Sequence, residues 1–529
     1  MASLTVASSS VASISASLHV VPSLKSTSSI FSGVPPANTI LPAESSTGTQ
    51  ASNVTDSVYI EWNEPWAESR STLTLLFVVN SELLSNSSIH DKAFESLQSL
   101  SSDYVRFLAW YPYPKISVPA LEPPNITEST CTTSWNFTYA DQLLGDFLRS
   151  TPGKIHSVGF STTPAWMWIS GQNKYPSDVN EIDFRYNQGT QLRDPSMTEI
   201  ADYYRRIVNW YVNGGFTDEC GTYHYSGHHW PIELWEVLNE PELEHQFTPE
   251  LYNKFYDAIT AAIREVAPKI QFVGGGLINK TIDWVETFMD SSKHTPGTEL
   301  GWLSYHHYGW PDPNVTDEQE QATSSFQQMD DFILQVQKIN QVRARLNPGM
   351  RIGFGEIGTI LQKAGIHITP GYVISDEYWV WSASVFAYVF AKTSGLDIDA
   401  IAQSQLHGYP GQFESVSMVD YRTAEPNARY RVLEMLQKNF QAGDKLLNTT
   451  SADEKAYHAQ AYRTVDGQRK LLLINKTAQN HTLTISSFNQ GEAQICDVSS
   501  GSNPHRTEIV QGDEITLTPF ATVILIPSC

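Results

Sequence analysis

Eight strand-like runs alternate with eight helical ones between residues 72 and 440, a pattern that few architectures accommodate. The strand candidates are TLTLLFVV (72–79), DYVRFLAWY (103–111), IHSVGFST (155–162), IELWEVLNE (232–240), KIQFVGGG (269–276), GWLSYHHYG (301–309), MRIGFGEIG (350–358) and DIDAIAQSQLHG (397–408). Helical periodicity predicts helices over 91–101, 139–150, 196–213, 248–266, 281–290, 323–346, 376–394 and 426–440. In the 248–266 stretch Thr248 is the expected N-cap and Pro249 opens the first turn. Most of the strands are apolar on both faces, as parallel strands covered by helices are. The series therefore predicts an α/β fold, a (β/α)8 TIM barrel over residues 72–440.

Both flanks read differently. Residues 1–56 are crowded with Ser, Thr, Ala and Pro and lack sustained periodicity, which predicts a flexible leader. Residues 441–529 have no helical period but several alternating runs, LLLIN (471–475), HTLTISSF (481–488), EITLTPF (514–520) and TVILIP (522–527), separated by turn signals. They predict a small antiparallel β-sandwich domain. SVYIEW (57–62), in the 57–71 segment ahead of the barrel, is a candidate strand that returns to join it.

Composition narrows the partners. The net charge of −23 repels phosphate backbones, so nucleic acid is a poor partner, and an anionic membrane surface is no better. No uninterrupted apolar run is long enough to span a bilayer. Fourteen Trp and 24 Tyr in a chain with only 17% charged residues tilt the expectation toward stacking on a neutral ligand such as a sugar. Nine N-x-S/T sequons, at Asn53, Asn86, Asn125, Asn136, Asn279, Asn314, Asn448, Asn475 and Asn480, suggest a secreted glycoprotein, although the N-terminus is a poor signal peptide. Four cysteines permit two disulfides; Cys131–Cys220 and Cys496–Cys529 keep each bond inside one expected domain. The sequence leaves the oligomeric state open.

Reactive groups in such a barrel gather where the strands end. The fourth strand ends WEVLNEPE, placing Asn239 and Glu240 at its tip, and the seventh ends GFGEIG, placing Glu356 in the same layer. Strands four and seven face each other across the barrel. Two opposed carboxylates are what cleavage of a glycosidic bond needs. Arg106 alternates with Tyr104, Leu108 and Trp110 and so points into the barrel with them. Two readings stand side by side for it: holding Glu356 anionic, or pairing with Glu236, which lies on the same face as Glu240.

WEVLNEP resembles the Asn-Glu-Pro acid/base motif of the large clan of retaining (β/α)8 glycosidases, and FGEIG resembles its strand-seven nucleophile. With RFLAWYPYP, SYHHYG and SQLHGYP, the pattern is most similar to glycoside hydrolase family 39, whose members include β-xylosidases and α-L-iduronidases built as a barrel plus β-sandwich. The resemblance implies Glu240 as general acid/base, Glu356 as nucleophile, retention of configuration and no cofactor. The expected substrate is a carbohydrate, cleaved in exo fashion as a β-xylosidase does. The alternatives are an endo-acting glycanase of the same clan and a catalytically silent carbohydrate-binding barrel.

The sugar pocket is expected at the remaining strand ends. Asn239 is the candidate for the sugar hydroxyl beside the reacting carbon, Tyr308 for a donor to Glu356, and His306 or His307 for another hydroxyl. Trp110, Trp166 and Trp310 are candidate stacking faces, and Gln405 and His407 finish strand eight. HYSGHHW (224–230) lies before strand four, away from the expected site, and lacks an acidic ligand at a suitable spacing, so no metal site is expected. The glycines at 274–276 lack the Lys-Ser/Thr of a phosphate loop, so nucleotide binding is unsupported.

Overall fold

The computed structural model describes residues 56–528, apart from 111, 172–174, 184–185, 187, 313 and 362–371. The residues expected to form a leader lie outside this set except for Asp56, and the rest belong to one compact unit. Eight parallel strands close into a barrel: β1 (Thr72–Val78), β2 (Tyr104–Ala109), β3 (Ile155–Phe160), β4 (Leu234–Glu236), β5 (Gln271–Leu277), β6 (Trp302–Gly309), β7 (Arg351–Thr359) and β8 (Ala400–Gln403). Closure runs through β8 and β1, where Ala400–Gln403 register with Thr72–Leu75. Each expected helical stretch forms a helix, including Pro249–Val266, whose Thr248 side chain caps Leu251 N.

Side chains fill the barrel in layers because strand residues alternate between its inside and its helix-covered outside. Tyr104, Leu234, Val273, Trp302 and Ala400 form the lowest layer, with Tyr104 and Trp302 stacked 5.8 Å apart. Two residues further along, β2 and β4 place Arg106 and Glu236 in the next layer. Outward-facing Phe77 and Phe107 pack instead on Phe147 of the helix Thr138–Ser150.

Alternation breaks at two places, and the first aims a functional group. In β6 and β7, Tyr305 pairs with Phe354 but His306 pairs with Glu356, so Gly355 is an extra residue in β7. Phe354 packs outward against Tyr305 and Phe332. Strict alternation would send Glu356 outward with it; the bulge turns Glu356 into the barrel. A Cβ at Gly355 would lie 2.6 Å from Ser304 Oγ and 2.9 Å from His306 Nε2, so this position has no room for a side chain. A second register shift, at Gly275–Leu277 of β5, lets Gly275 adopt φ +87, where a Cβ would sit 2.6 Å from Ser304 O. Gly275 thus serves close backbone packing, and Gly274 leaves room for the Phe288 ring.

Beyond the barrel lies a nine-stranded, mostly antiparallel sheet with its own core, which includes Val58, Ile60, Trp62, Leu447, Leu471 and Val523. Its strand Ser57–Glu68 comes from before the barrel and pairs antiparallel with Lys445–Ser451 and parallel with His481–Ile485. A disulfide joins Cys131 to Cys220. Cys496 corrects the second expected pair: it is a buried free thiol beside Met435 Sδ, and Cys529 lies outside the described residues. No helix among the described residues is long and apolar enough to cross a membrane.

Candidate active site

The chain leaves β4 through an unusual turn. Leu238 and Glu240, which flank Asn239, both take left-handed backbone conformations, φ 63 and 43. Non-glycine residues hold such angles only where their surroundings impose them. Here Glu240 N donates to Gly276 O on β5 at 2.9 Å, and Pro241 starts the short helix Pro241–Glu244 directly afterwards. The result points the Glu240 carboxyl across the barrel mouth toward β6 and β7.

The opposing carboxylate is held from several sides. Glu356 Oε1 accepts from Arg106 Nη1 at 2.7 Å, and Oε2 accepts from the Tyr308 hydroxyl at 2.5 Å. Tyr308 is in turn 2.7 Å from Ser404 Oγ. His306 Nδ1 lies 2.9 Å from Glu240 Oε1 and 3.6 Å from Glu356 Oε1. A carboxylate oxygen from each glutamate and a His306 ring nitrogen all lie within 4.8 Å of one another. Among the described residues this is the one group of three side chains spaced to hold a metal ion. Arg106 and Tyr308 already engage both Glu356 oxygens, so a cation there would face the Arg106 guanidinium. The donor set therefore fits a metal poorly.

Arg106 satisfies both readings of the sequence at once. Its Nε and Nη2 donate to Glu236 Oε2 and Oε1 at 2.6 and 3.0 Å, while Nη1 reaches Glu356 and Nη2 also meets Asn239 Oδ1 at 2.8 Å. The guanidinium fork suits this arrangement because its donors diverge in one plane.

Burial pushes both mouth glutamates toward the neutral form, and their neighbours then separate them. For Glu240 the charges of Glu356, Glu244 and Glu242 add to burial and hold its carboxyl well above the usual range. For Glu356 the Arg106 guanidinium and the Tyr308 hydroxyl hold it below that range against burial, and the His306 ring adds to this only when it is charged. Burial takes His306 down to about 3, so its ring is neutral at ordinary pH.

Of the other expected residues, Asn239 and Trp110 join this constellation. Trp110 Nε1 donates to Glu244 Oε1 at 2.8 Å, and its ring lies 6.1 Å from that of Phe413. His307 does not join it: its ring faces outward and stacks at 4.5 Å on Phe332 of the helix Glu318–Leu346, because alternation along β6 sends 306 and 308 inward and 307 outward. Trp310 is exposed, and its backbone N–H donates to Gln328 Oε1 of the same outer helix. Trp166 donates to Ala120 O and carries the Arg193 guanidinium over its face, contacts made within the loops. Gln405 and His407 are buried and tie the loop after β8, through Gln412 O and through Asn80 and Tyr421 O. The histidines at 224 and 228 bond Asp218 and Asp141 separately.

Two charged residues of the site were not singled out by the sequence. Glu244 follows Glu240 by one helical turn, a spacing visible in NEPELE. Lys280, past the end of β5, donates to His306 O at 2.6 Å while its ammonium lies over the Phe332 ring, and burial lowers it to about 8.

The fold recurs in solved glycosidases. A family 51 arabinofuranosidase from Xanthomonas axonopodis pv. citri superposes with a TM-score of 0.60 at 12% identity, over 89% of this chain and 100% of that one. The α-L-arabinofuranosidase of Thermotoga maritima gives 0.58 at 13%, over 89% and 99%. A family 30 endoxylanase from Clostridium papyrosolvens C71 gives 0.53 at 14%, over 89% and 100%. Likeness at these identities establishes the architecture alone, a coarser statement than family 39. Residues 454–525 match the C-terminal immunoglobulin-like domain of D-apionate lactonase. No curated protein matches the sequence.

Proposed function

We propose that the chain is a retaining glycoside hydrolase, with Glu240 as general acid/base and Glu356 as nucleophile. The observation that carries this is the pair itself: two carboxylates from opposite strands, with oxygens within 4.8 Å, pushed toward opposite protonation states. Retaining enzymes hold their carboxyl groups about 5–5.5 Å apart, whereas inverting ones need roughly 6.5–9.5 Å to admit a water. In the first step Glu356 attacks the anomeric carbon as the glycosidic C–O bond breaks, and the Glu240 proton passes to the leaving oxygen. In the second, Glu240 takes a proton from water, whose oxygen attacks the same carbon and releases Glu356. Arg106 and Tyr308 keep the nucleophile ionised, and neutral His306 fixes the Glu240 carboxyl without competing for the negative charge.

On this reading the barrel, residues 72–440, carries the chemistry, and residues 57–71 with 441–529 form the supporting β-domain. The protein travels a secretory route, acts on a neutral glycan and works in the exo manner of the β-xylosidase-like enzymes its motifs resemble. A panel of aryl glycosides, assayed with Glu240→Gln and Glu356→Gln, tests it. Turnover by the wild type with retained configuration, and severe loss in both variants, is expected. A wild type that binds glycans but cleaves none would instead make it a silent binding barrel.

A further inference from the structure

Glu244 takes no part in the double displacement, yet its carboxyl gathers three donors from three segments. Oε1 accepts from Trp110 Nε1 at 2.8 Å and from Asn239 Nδ2 at 3.0 Å; Oε2 accepts from Gln188 Nε2 at 3.2 Å. Trp110 follows β2, Asn239 follows β4, and Gln188 belongs to the long loop after β3. Gln188 is itself locked, since its Oε1 accepts from Thr163 N at 2.6 Å and from Thr163 Oγ1 at 3.0 Å.

All three partners donate and favour the ionised form, but burial outweighs them and raises this carboxyl to about 8, so near neutrality it also holds a proton while its oxygens still accept all three bonds. Asn239 is consequently fixed from both ends of its amide. Its Oδ1 accepts from Arg106 Nη2 at 2.8 Å while its Nδ2 donates to Glu244. Turning the amide over would aim N–H at a guanidinium and C=O at a carboxyl oxygen, so only one orientation is satisfied. An amide nitrogen carries two hydrogens, and Glu244 takes one of them. The other has no hydrogen-bond partner among the described residues.

We infer that Glu244 is a positioning residue: its carboxyl orients the Asn239 amide toward the sugar hydroxyl beside the reacting carbon and pins the Trp110 indole as a wall of the sugar site. This rests on the glycosidase reading above. It differs from a loop tie because the effect passes through Asn239.

The test compares Glu244→Ala, Glu244→Gln, Asn239→Ala and the Glu244→Ala/Asn239→Ala double variant on an aryl glycoside and on its 2-deoxy counterpart. In Glu244→Ala kcat should fall about 10–100-fold with KM changed less than about threefold. Glu244→Gln should fall less, because one oxygen acceptor remains. The double variant should be little worse than Asn239→Ala alone, and the 2-deoxy substrate should be insensitive to either change. Losses that multiply, or that are equal on both substrates, overturn the inference. A second readout needs no turnover: with nitrogen-labelled tryptophan, the indole signal that disappears in Trp110→Phe should exchange slowly in the wild type and fast in Glu244→Ala. An unchanged signal overturns the inference even if no glycoside is ever cleaved, whereas an inactive wild type with the expected signal change sinks the glycosidase reading alone.

Discussion

Arg106 Nη1 lies 2.7 Å from Glu356 Oε1, while the other edge of the same guanidinium is bonded to Glu236. On the proposed mechanism, structural pairing and control of the nucleophile are therefore one interaction network, and Arg106, only 1% exposed, cannot be replaced without disturbing both. Arg106→Met leaves two buried carboxylates without their cation. Removing one partner of a buried ion pair costs roughly 3–5 kcal/mol. Denaturant unfolding should show a loss of that order, together with near-complete loss of glycosidase activity. Arg106→Lys should restore part of the stability but little of the activity, since an ammonium cannot span both carboxylates. An active Arg106→Met variant would remove the network from the mechanism.

The opposed shifts of Glu240 and Glu356 predict a bell-shaped pH–activity profile. Its acid limb belongs to Glu356, which must be ionised, and its alkaline limb to Glu240, which must carry a proton. Tyr308→Phe removes a donor to the ionised form of Glu356, so that pKa rises and the acid limb moves to higher pH. A hydrogen bond to a charged group is worth about 1.5–3 kcal/mol, so the limb should move by roughly one to two pH units. An unmoved limb in kcat/KM profiles would show that Tyr308 does not tune the nucleophile.

Gly355→Ala tests the bulge that turns Glu356 inward. The new methyl would stand 2.6 Å from Ser304 Oγ and 2.9 Å from His306 Nε2. Overpacking of this kind costs about 1–3 kcal/mol, and the strand must shift to relieve it. Activity should fall further than stability, because the displaced groups are His306 and Glu356. A melting curve and kcat measured side by side decide the matter; a variant that melts lower but works normally would refute the link.

The sequons divide by structure. Asn475 is fully buried, and its Nδ2 donates to Gln479 O at 2.7 Å and Thr518 O at 2.8 Å, whereas Asn86, Asn125, Asn136, Asn279, Asn314, Asn448 and Asn480 are exposed. Glycan at Asn475 would sacrifice those bonds and find no space. Peptide mapping of protein from a secretory host should find Asn475 bare while exposed sequons carry glycan. Substantial occupancy at Asn475 would contradict the packing of the sheet domain there.

The sequence by itself determined the barrel and the identity of the two opposed glutamates. Eight βα units and a change of period near residue 440 are local signals, written in short contiguous runs of the chain, and hydrophobic periodicity reports them directly. The choice between His306 and His307 stayed open in the sequence, and the structure settles it by placing His306 on Glu240 and His307 on Phe332. Three further things needed the tertiary structure. Whether Arg106 meets Glu236 or Glu356 depends on distances across the barrel, and it meets both. That Glu356 points inward although Phe354 points outward depends on a bulge at Gly355, which appears only once β6 and β7 are in register. The role of Glu244 depends on Trp110, Asn239 and Gln188 converging from 110, 239 and 188, positions that chain order keeps far apart. A residue's own face can be read from its neighbours in the chain; its partners across a closed barrel are set by closure itself.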